Sequence, residues 1–451
     1  MRSTDLPAET RRILGLAWPV VLTSLNWTIL HVTDVVVVGF TGTDQVAALG
    51  ASRALTYVSI VVALGWLSGV LVRVSRADGA ADLAATGKAF HQGLALAVAL
   101  GLISGAVLLF FARTLLIGVG VEPHVVPGAA AVVRVMAVAF PFQLMIVTAS
   151  YFLEGVSRPR RVMVVNLAML PFNALLAWIL SGGHWGAPEL GAVGAALATT
   201  IANVLGAGAM LVAAWTLPRA RERGVHDWRG FLSRETVRGI WGLLTFGVMP
   251  ALASGLELAG FSVLIALSTQ LGGADAHAFQ IVFSIHNVTF AAALGLGSAA
   301  GVRVGNAVGE GTAHQAGHRA GIALVLSAAI TGLAALVLAL FARTLTGLFP
   351  AVPAVHDLAA AMLLIWAPFI LFDGIQVVCV YALRSLGDQV VAGINSILAY
   401  FLVTGGVGLW LVHAGWGLTG LTLASGSGMV VAAALHGGRL AWVSSRLRSR
   451  S

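Results

Sequence analysis

The sequence predicts an all-α integral membrane protein: twelve transmembrane helices in two pseudo-symmetric six-helix lobes. Three observations predict this. Of 451 residues, 58% are hydrophobic and only 10% are charged, a balance foreign to water-soluble domains. The apolar residues fall into a dozen stretches, most of them near or above the roughly 20 residues that a span requires. The first half of the chain also recurs in the second at an offset of 230.

Charged and turn-rich breaks set the elements. The first lobe reads as spans near 13–40, 47–72, 89–112, 128–152, 162–182 and 190–217. The second reads as 240–270, 277–302, 319–342, 357–383, 390–412 and 416–443. Residues 1–12 are polar and the first apolar stretch is too long for a signal h-region, so no cleavable leader is expected. The longest polar segment, 218–238, reads as a linker between an N-lobe of 1–217 and a C-lobe of 239–451. Cys379 is the single cysteine, so no intrachain disulfide is available.

Net charge of +8 invites a nucleic-acid reading, but its distribution opposes it. With the N-terminus inside, all but Arg53, Arg113, Arg134 and Arg343 of the 26 Lys and Arg fall on cytoplasmic segments. That is the positive-inside pattern, with contacts to anionic lipid and both termini cytoplasmic. No nucleic acid is expected, and a monomer is.

The repeat is specific. Val72-Arg73-Val74 recurs as Val302-Arg303-Val304, and Phe111-Ala-Arg-Thr-Leu115 as Phe341-Ala-Arg-Thr-Leu345. Gly42, Gly65, Gly79 and Gly87 pair with Gly272, Gly295, Gly309 and Gly317. Six spans is an even number, so the two copies share one orientation in the membrane.

Three acids break the repeat: Asp34, Glu257 and Asp373 lie inside apolar spans and have no acidic counterparts. A carboxylate at bilayer depth costs roughly 2.5–3.5 kcal/mol. No Lys or Arg is evidently placed to neutralise them; Arg53 reads as lying near an outer end. Such groups are expected to handle cations or protons. Glu257 follows Pro250, and Asp373 follows Pro368. Two carboxylates with Gln376 nearby offer hard oxygen ligands suited to Na⁺ or H⁺. If close, the pair shares a proton, because like charges in low dielectric oppose double ionisation.

His31 and Asp34 are one turn apart on one face. Asn166 and Asn173 share a face of the fifth span and are expected to line a polar cavity against Asp34. Phe369, a turn before Asp373, offers a ring to a cationic guest. His286, with Asn287 beside it, is a further intramembrane polar candidate. No P-loop, Gly-x-Ser-x-Gly or metal-ligand cluster is visible, so no enzyme and no cofactor is expected.

Trp18-Pro19…Asp34-Val-Val-Val-Val-Gly39, the stretch Gly186–Thr199 and Gly295-Leu-Gly-Ser-Ala-Ala-Gly-Val-Arg-Val-Gly-Asn-Ala-Val-Gly-Glu310 occur in this order. In these the chain resembles the multidrug and toxic compound extrusion family, its NorM-like branch in particular. The resemblance implies a cation-coupled efflux antiporter of the inner membrane, working by alternating access on small organic cations. It makes Glu257 and Asp373 the coupling-ion acids, Asp34 the N-lobe acid tied to protons, and Asn166 and Asn173 cavity positions. Some relatives carry a second acid one turn after the asparagine matching Asn173; here that residue is Ala177, which shifts the expected coupling to the C-lobe pair. Two other readings compete. A lipid-linked oligosaccharide flippase would call for intramembrane cations. A membrane acyl transferase acting through His31 and Asp34 would call for paired catalytic motifs.

Overall fold

A computed structural model describes residues 6–227 and 234–449. Arg2, Arg229 and Arg450 of the basic segments, and part of the 218–238 linker, lie outside the described residues. Among those described, twelve helices are long and apolar enough to cross a membrane. The chain is a multi-pass membrane protein.

Eight long helices come first: α1 (Leu6–Gly39), α2 (Thr43–Gly79), α3 (Leu83–Gly118), α4 (Val126–Gly155), α5 (Pro159–Gly182), α6 (Gly191–Trp215), α7 (Arg234–Leu271) and α8 (Gly273–Gly309). Then come α9 (Ala316–Leu340), the short α10 (Ala342–Thr346), α11 (Pro353–Trp366), α12 (Phe369–Leu386) and α13 (Gln389–Ser396). A wider π-helical segment, Ile397–Val407, leads into α14 (Gly408–His413), and α15 (Gly417–Ser449) is the last helix among the described residues. Local chemistry sets the boundaries. Asp82 caps α3 by accepting the Ala85 N–H at 2.9 Å. Pro159 and Pro353 occupy first-turn positions of α5 and α11, where a missing N–H is harmless. Gly42 and Gly272 enter α2 and α8 at φ of 127° and 141°, conformations that a side chain would strain.

Two details correct the sequence reading. The stretch 357–383 is not one helix: α11 stops at Trp366 and α12 restarts at Phe369, around Pro368. Proline has no N–H to continue the ladder, and its ring crowds the carbonyl four residues back. The eleventh span, 390–412, is interrupted by the π-helical segment, which sequence periodicity did not reveal.

By packing, the chain forms two compact units. One comprises residues 22–78 and 82–251, the other 1–21, 79–81 and 252–451. The division runs through α1 and α7, two residues after Pro19 and one after Pro250. The core of the N-terminal unit stacks Phe90 on Phe152, with centroids 4.4 Å apart, amid Leu67, Leu94 and Leu243. The core of the C-terminal unit gathers Phe279, Trp366, Tyr400 and Met429.

The repeated residues have a packing reason. In the N-terminal unit, a Cβ on Gly65 would lie 2.5 Å from the Cα of Ala251. In the C-terminal unit, a Cβ on its repeat partner Gly295 would lie 2.8 Å from the Ala17 carbonyl oxygen. Both glycines let helix backbones touch. The repeated arginines act alike. Arg73 donates to Gln92 Oε1 at 3.1 Å and to the Gly239 carbonyl at 3.2 Å, at the start of α7. Arg303 donates through Nε and Nη2 to both oxygens of Glu9, at 2.6 and 2.8 Å, at the start of α1. Glu9 and Gly239 are themselves one repeat apart.

Before the undescribed stretch, Arg223 donates to Asp78 at 2.8 Å and to Thr86 Oγ1 at 3.0 Å. Nearby, a hydrogen bond from Arg219 holds the exposed Glu222 carboxyl below its usual range.

Candidate functional site

The N-terminal unit holds a mostly apolar cavity to which α1, α2, α4, α5 and α6 each contribute polar side chains. His31, Asp34, Asn166 and Asn173, singled out in the sequence, all line it. Asp34 projects from α1 and is 5% exposed. Asn173, on α5, donates its amide N–H to Asp34 Oδ1 at 3.2 Å. The Asn166 amide turns back on its own helix, donating to the Val162 carbonyl at 2.9 Å. Its main-chain carbonyl accepts from Asn26 Nδ2 at 3.3 Å. These bonds fix both remaining amide oxygens: Asn26 Oδ1 and Asn173 Oδ1 are buried without a hydrogen-bond partner. An unpaired buried acceptor costs free energy that an incoming N–H donor would recover.

One expectation is corrected here. Asp34 does have a cation nearby. Arg53 on α2 lines the same cavity and attracts the Asp34 carboxylate. Its guanidinium is moored by Nη2 to the His31 carbonyl at 3.0 Å. Read from the sequence, Arg53 lies near the outer end of its span. In the fold, its side chain turns towards the bundle interior.

The C-terminal unit builds a second polar cluster. Asp373 on α12, 3% exposed, accepts from Gln376 Nε2 at 3.2 Å. Its other oxygen lies 3.8 Å from His286 Nε2 of α8. Glu257 on α7 is half-buried, and its charge acts on Asp373 and on Tyr400. Tyr400, from the π-helical segment, sets its hydroxyl beside Asp373 and Gln376 without the geometry of a hydrogen bond. Aromatic rings enclose the cluster: Trp366 lies 5.6 Å and Phe290 5.9 Å from His286, centroid to centroid. Phe369 is elsewhere, its ring pressed against Gly426 of α15.

The donor set bears on what the cluster can hold. Two carboxylates, a phenol oxygen and an amide are hard ligands, suited to a monovalent cation or a proton. The buried, unpartnered Tyr400 hydroxyl is a free lone-pair donor for such a guest. Among the described residues, no group of three or more His, Cys, Asp or Glu could hold a metal ion. A cation here would therefore rest partly on neutral oxygens.

The two sites occupy equivalent repeat positions. Trp27, Thr56 and Gln143 line the N-terminal cavity, and one repeat further on stand Glu257, His286 and Asp373. The same scaffold thus presents an apolar pocket in one copy and an ionisable cluster in the other. Sequence reasoning missed Asn26, Arg53 and Tyr400. The repeat carried a usable signal only for residues facing an acid across it, and these three do not.

A family model described as MatE matches residues 19–179 and again 250–407. The probable multidrug resistance protein NorM of Bradyrhizobium diazoefficiens is 31% identical over 439 residues, covering 95% of this chain and 92% of that protein. The multidrug resistance protein NorM of Burkholderia vietnamiensis is 32% identical over 438 residues, with the same coverage of 95% and 92%. Both relatives are named as multidrug resistance proteins. Among solved structures, the eukaryotic MATE transporter AtDTX14 superposes with a TM-score of 0.87 at 19% identity, covering 99% of each chain. An outward-facing multidrug resistance MATE transporter of the MOP superfamily gives 0.87 at 20% identity, covering 100% of each. At these identities the structures establish the fold alone. With one family model matching both halves and relatives above 30% identity along nearly its whole length, the chain belongs to the MatE family.

Proposed function

We propose that this protein is a multidrug efflux antiporter that exports small organic, mostly cationic compounds in exchange for Na⁺ or H⁺ by alternating access. The observation that carries this reading is the presence of two separate acid sites of different character. Asp34 lies in an apolar cavity with unpaired amide acceptors, which suits organic cargo bearing a cationic nitrogen. Asp373 and Tyr400, with the Glu257 charge acting on both, make an oxygen-rich cluster, which suits a small ion. The names of the relatives support drug export. No covalent chemistry and no cofactor enters this mechanism. The ion and the cargo need only favour opposite facings of the protein, since a ligand shifts a conformational equilibrium only through differential affinity.

The residues act by charge and geometry. Asn173 orients Asp34 by its hydrogen bond, and the low-dielectric walls strengthen attraction for a cationic guest. Gln376 and His286 hold Asp373 from two sides, so that its carboxylate faces a fixed set of partners. The lobes of the repeat, 1–217 and 239–451, then divide cargo binding from coupling, with the chain acting as a monomer. The test is transport by proteoliposomes in which Na⁺ and pH gradients are set separately. A cationic dye should move against its own gradient when at least one cation gradient opposes it. Movement indifferent to both gradients rules out coupling.

In this reading the protein lies in the inner (plasma) membrane, and the positive-inside pattern supports cytoplasmic placement of both termini and of 218–238. Cysteine labelling can test this in a Cys379→Ala background, since Cys379 is buried. Arg221→Cys should resist an impermeant reagent in intact cells and react in inside-out vesicles. Labelling of intact cells reverses the orientation.

A further inference from the structure

We infer that the C-terminal unit carries a lipid site: a groove along the first half of α1 that takes an acyl chain of an anionic phospholipid, with Arg11 holding the phosphate. No residue of it belongs to either acid site, and its occupant is neither cargo nor coupling ion.

The groove has a volume of about 640 Å³, within the roughly 300–1,000 Å³ of small-molecule sites. The α1 residues between Pro7 and Val21 line it, and Leu296 of α8 and Ile330 of α9 face them. Thr10 and Arg11 stand towards one end, and the lining from Leu14 to Val21 is apolar. From Arg11 to Val21 the helix rises about 15 Å, half of the roughly 30 Å hydrocarbon core of a bilayer. A chain laid along this face thus spans one leaflet, with its headgroup beside Arg11. In the orientation proposed above, that leaflet is the cytoplasmic one.

Gly15 shows that the groove is open where the chain would lie. A glycine inside a helix is destabilising relative to alanine. Gly65 and Gly295 offset this by letting helix backbones touch. Gly15 does not, because a Cβ there would meet nothing from a neighbouring element within 4 Å. It lines the groove one turn below Arg11, between Leu14 and the exposed Trp18. A larger side chain at 15 would occupy the space itself.

The headgroup class follows from the charge at the mouth. Glu9 is two residues from Arg11, but it gives both carboxylate oxygens to Arg303. Arg11 and its neighbour Arg12 are both exposed, which leaves the mouth positive. The guanidinium fork of Arg11 and the Thr10 hydroxyl are donors suited to a phosphate. A zwitterionic headgroup brings an ammonium that these arginines repel, whereas an anionic headgroup brings none.

The test uses two probes that differ in headgroup alone: phosphatidylglycerol and phosphatidylcholine, each brominated on its acyl chains. Bromine quenches indole fluorescence on contact, and Trp18 lines the groove. The lipids are titrated into purified full-length protein in mild detergent, and the Trp18 signal is the difference between wild type and Trp18→Phe. Phosphatidylglycerol should quench Trp18 saturably, at a half-saturating concentration at least about fivefold below that of phosphatidylcholine. Arg11→Gln should bring the two concentrations together. Gly15→Leu should remove the saturable quenching by both lipids. Its fold should survive, since leucine favours the helix and meets open space, and the size-exclusion profile checks this. Equal half-saturation of the two lipids in wild type overturns the site, as does quenching unchanged in Gly15→Leu. Quenching that rises alike for both lipids without saturating marks mere partition and overturns it too. Should Gly15→Leu fail to fold, the wild-type comparison and Arg11→Gln still decide.

Discussion

Glu257→Gln and Asp373→Asn are each expected to reduce ion-driven efflux to the level of protein-free vesicles while leaving a folded protein in the membrane. The effect should be near-total because an antiporter without its ion site has nothing to set against the cargo gradient. Folding should survive for a separate reason. Both replacements keep the size of the side chain and remove a charge that is costly at bilayer depth. Asparagine at 373 also keeps an oxygen to accept from Gln376 Nε2, which now lies 3.2 Å from Asp373 Oδ1. Efflux assays under separate Na⁺ and pH gradients, with size-exclusion profiles as the folding control, measure both halves. Normal transport by both variants under every gradient removes this cluster from the mechanism.

The second large effect is on stability. Glu9 is 1% exposed and forms a two-pronged ion pair with Arg303, itself 7% exposed. Removing one partner strands a buried charge, which typically costs about 3–5 kcal/mol. Arg303→Met should therefore lower the thermal midpoint of the detergent-solubilised protein sharply. The double variant Glu9→Leu with Arg303→Met should recover most of the loss, since a buried pair is often replaceable by apolar residues. The repeat supplies an internal control. Arg73 has only neutral acceptors, Gln92 Oε1 and the Gly239 carbonyl, so Arg73→Met should cost less, about 1–3 kcal/mol. Equal losses from Arg73→Met and Arg303→Met contradict the assignment of the cost to a stranded Glu9 carboxylate.

The fold was legible because its signals are local or repeated. Apolar length marks a span, and the offset of 230 marks the second copy down to the ends of α2 and α8. The three intramembrane acids were legible because a charge among apolar residues stands out. What the sequence concealed depends on distance or on small backbone changes. Glu9 sits among polar residues near the N-terminus, and its partner lies 294 positions away. Arg53 reads as peripheral because only packing decides whether a long side chain turns outward or inward. The π-helical segment that delivers Tyr400 has no apolar period to distinguish it from an α-helix. Wider turns of this kind recur at functional sites, and this one brings a phenol beside Asp373 and Gln376. The break at Pro368 was half-visible: the proline was noted, yet Pro141, Pro171 and Pro250 sit within continuous helices. Proline alone does not say where a helix ends.

The central claim is that cargo and coupling ion occupy different acids. Equilibrium binding of a cationic dye to purified protein, titrated from acidic to alkaline pH, tests it most directly. Protonating Asp34 removes the negative charge that attracts the dye, so wild-type affinity should fall as pH is lowered. Asp34→Asn should bind weakly and lose that slope, whereas Glu257→Gln and Asp373→Asn should still bind dye despite failing to transport it. Full wild-type affinity and slope in Asp34→Asn, with binding lost in the Glu257 and Asp373 variants, would put the cargo at the C-terminal cluster and contradict the account.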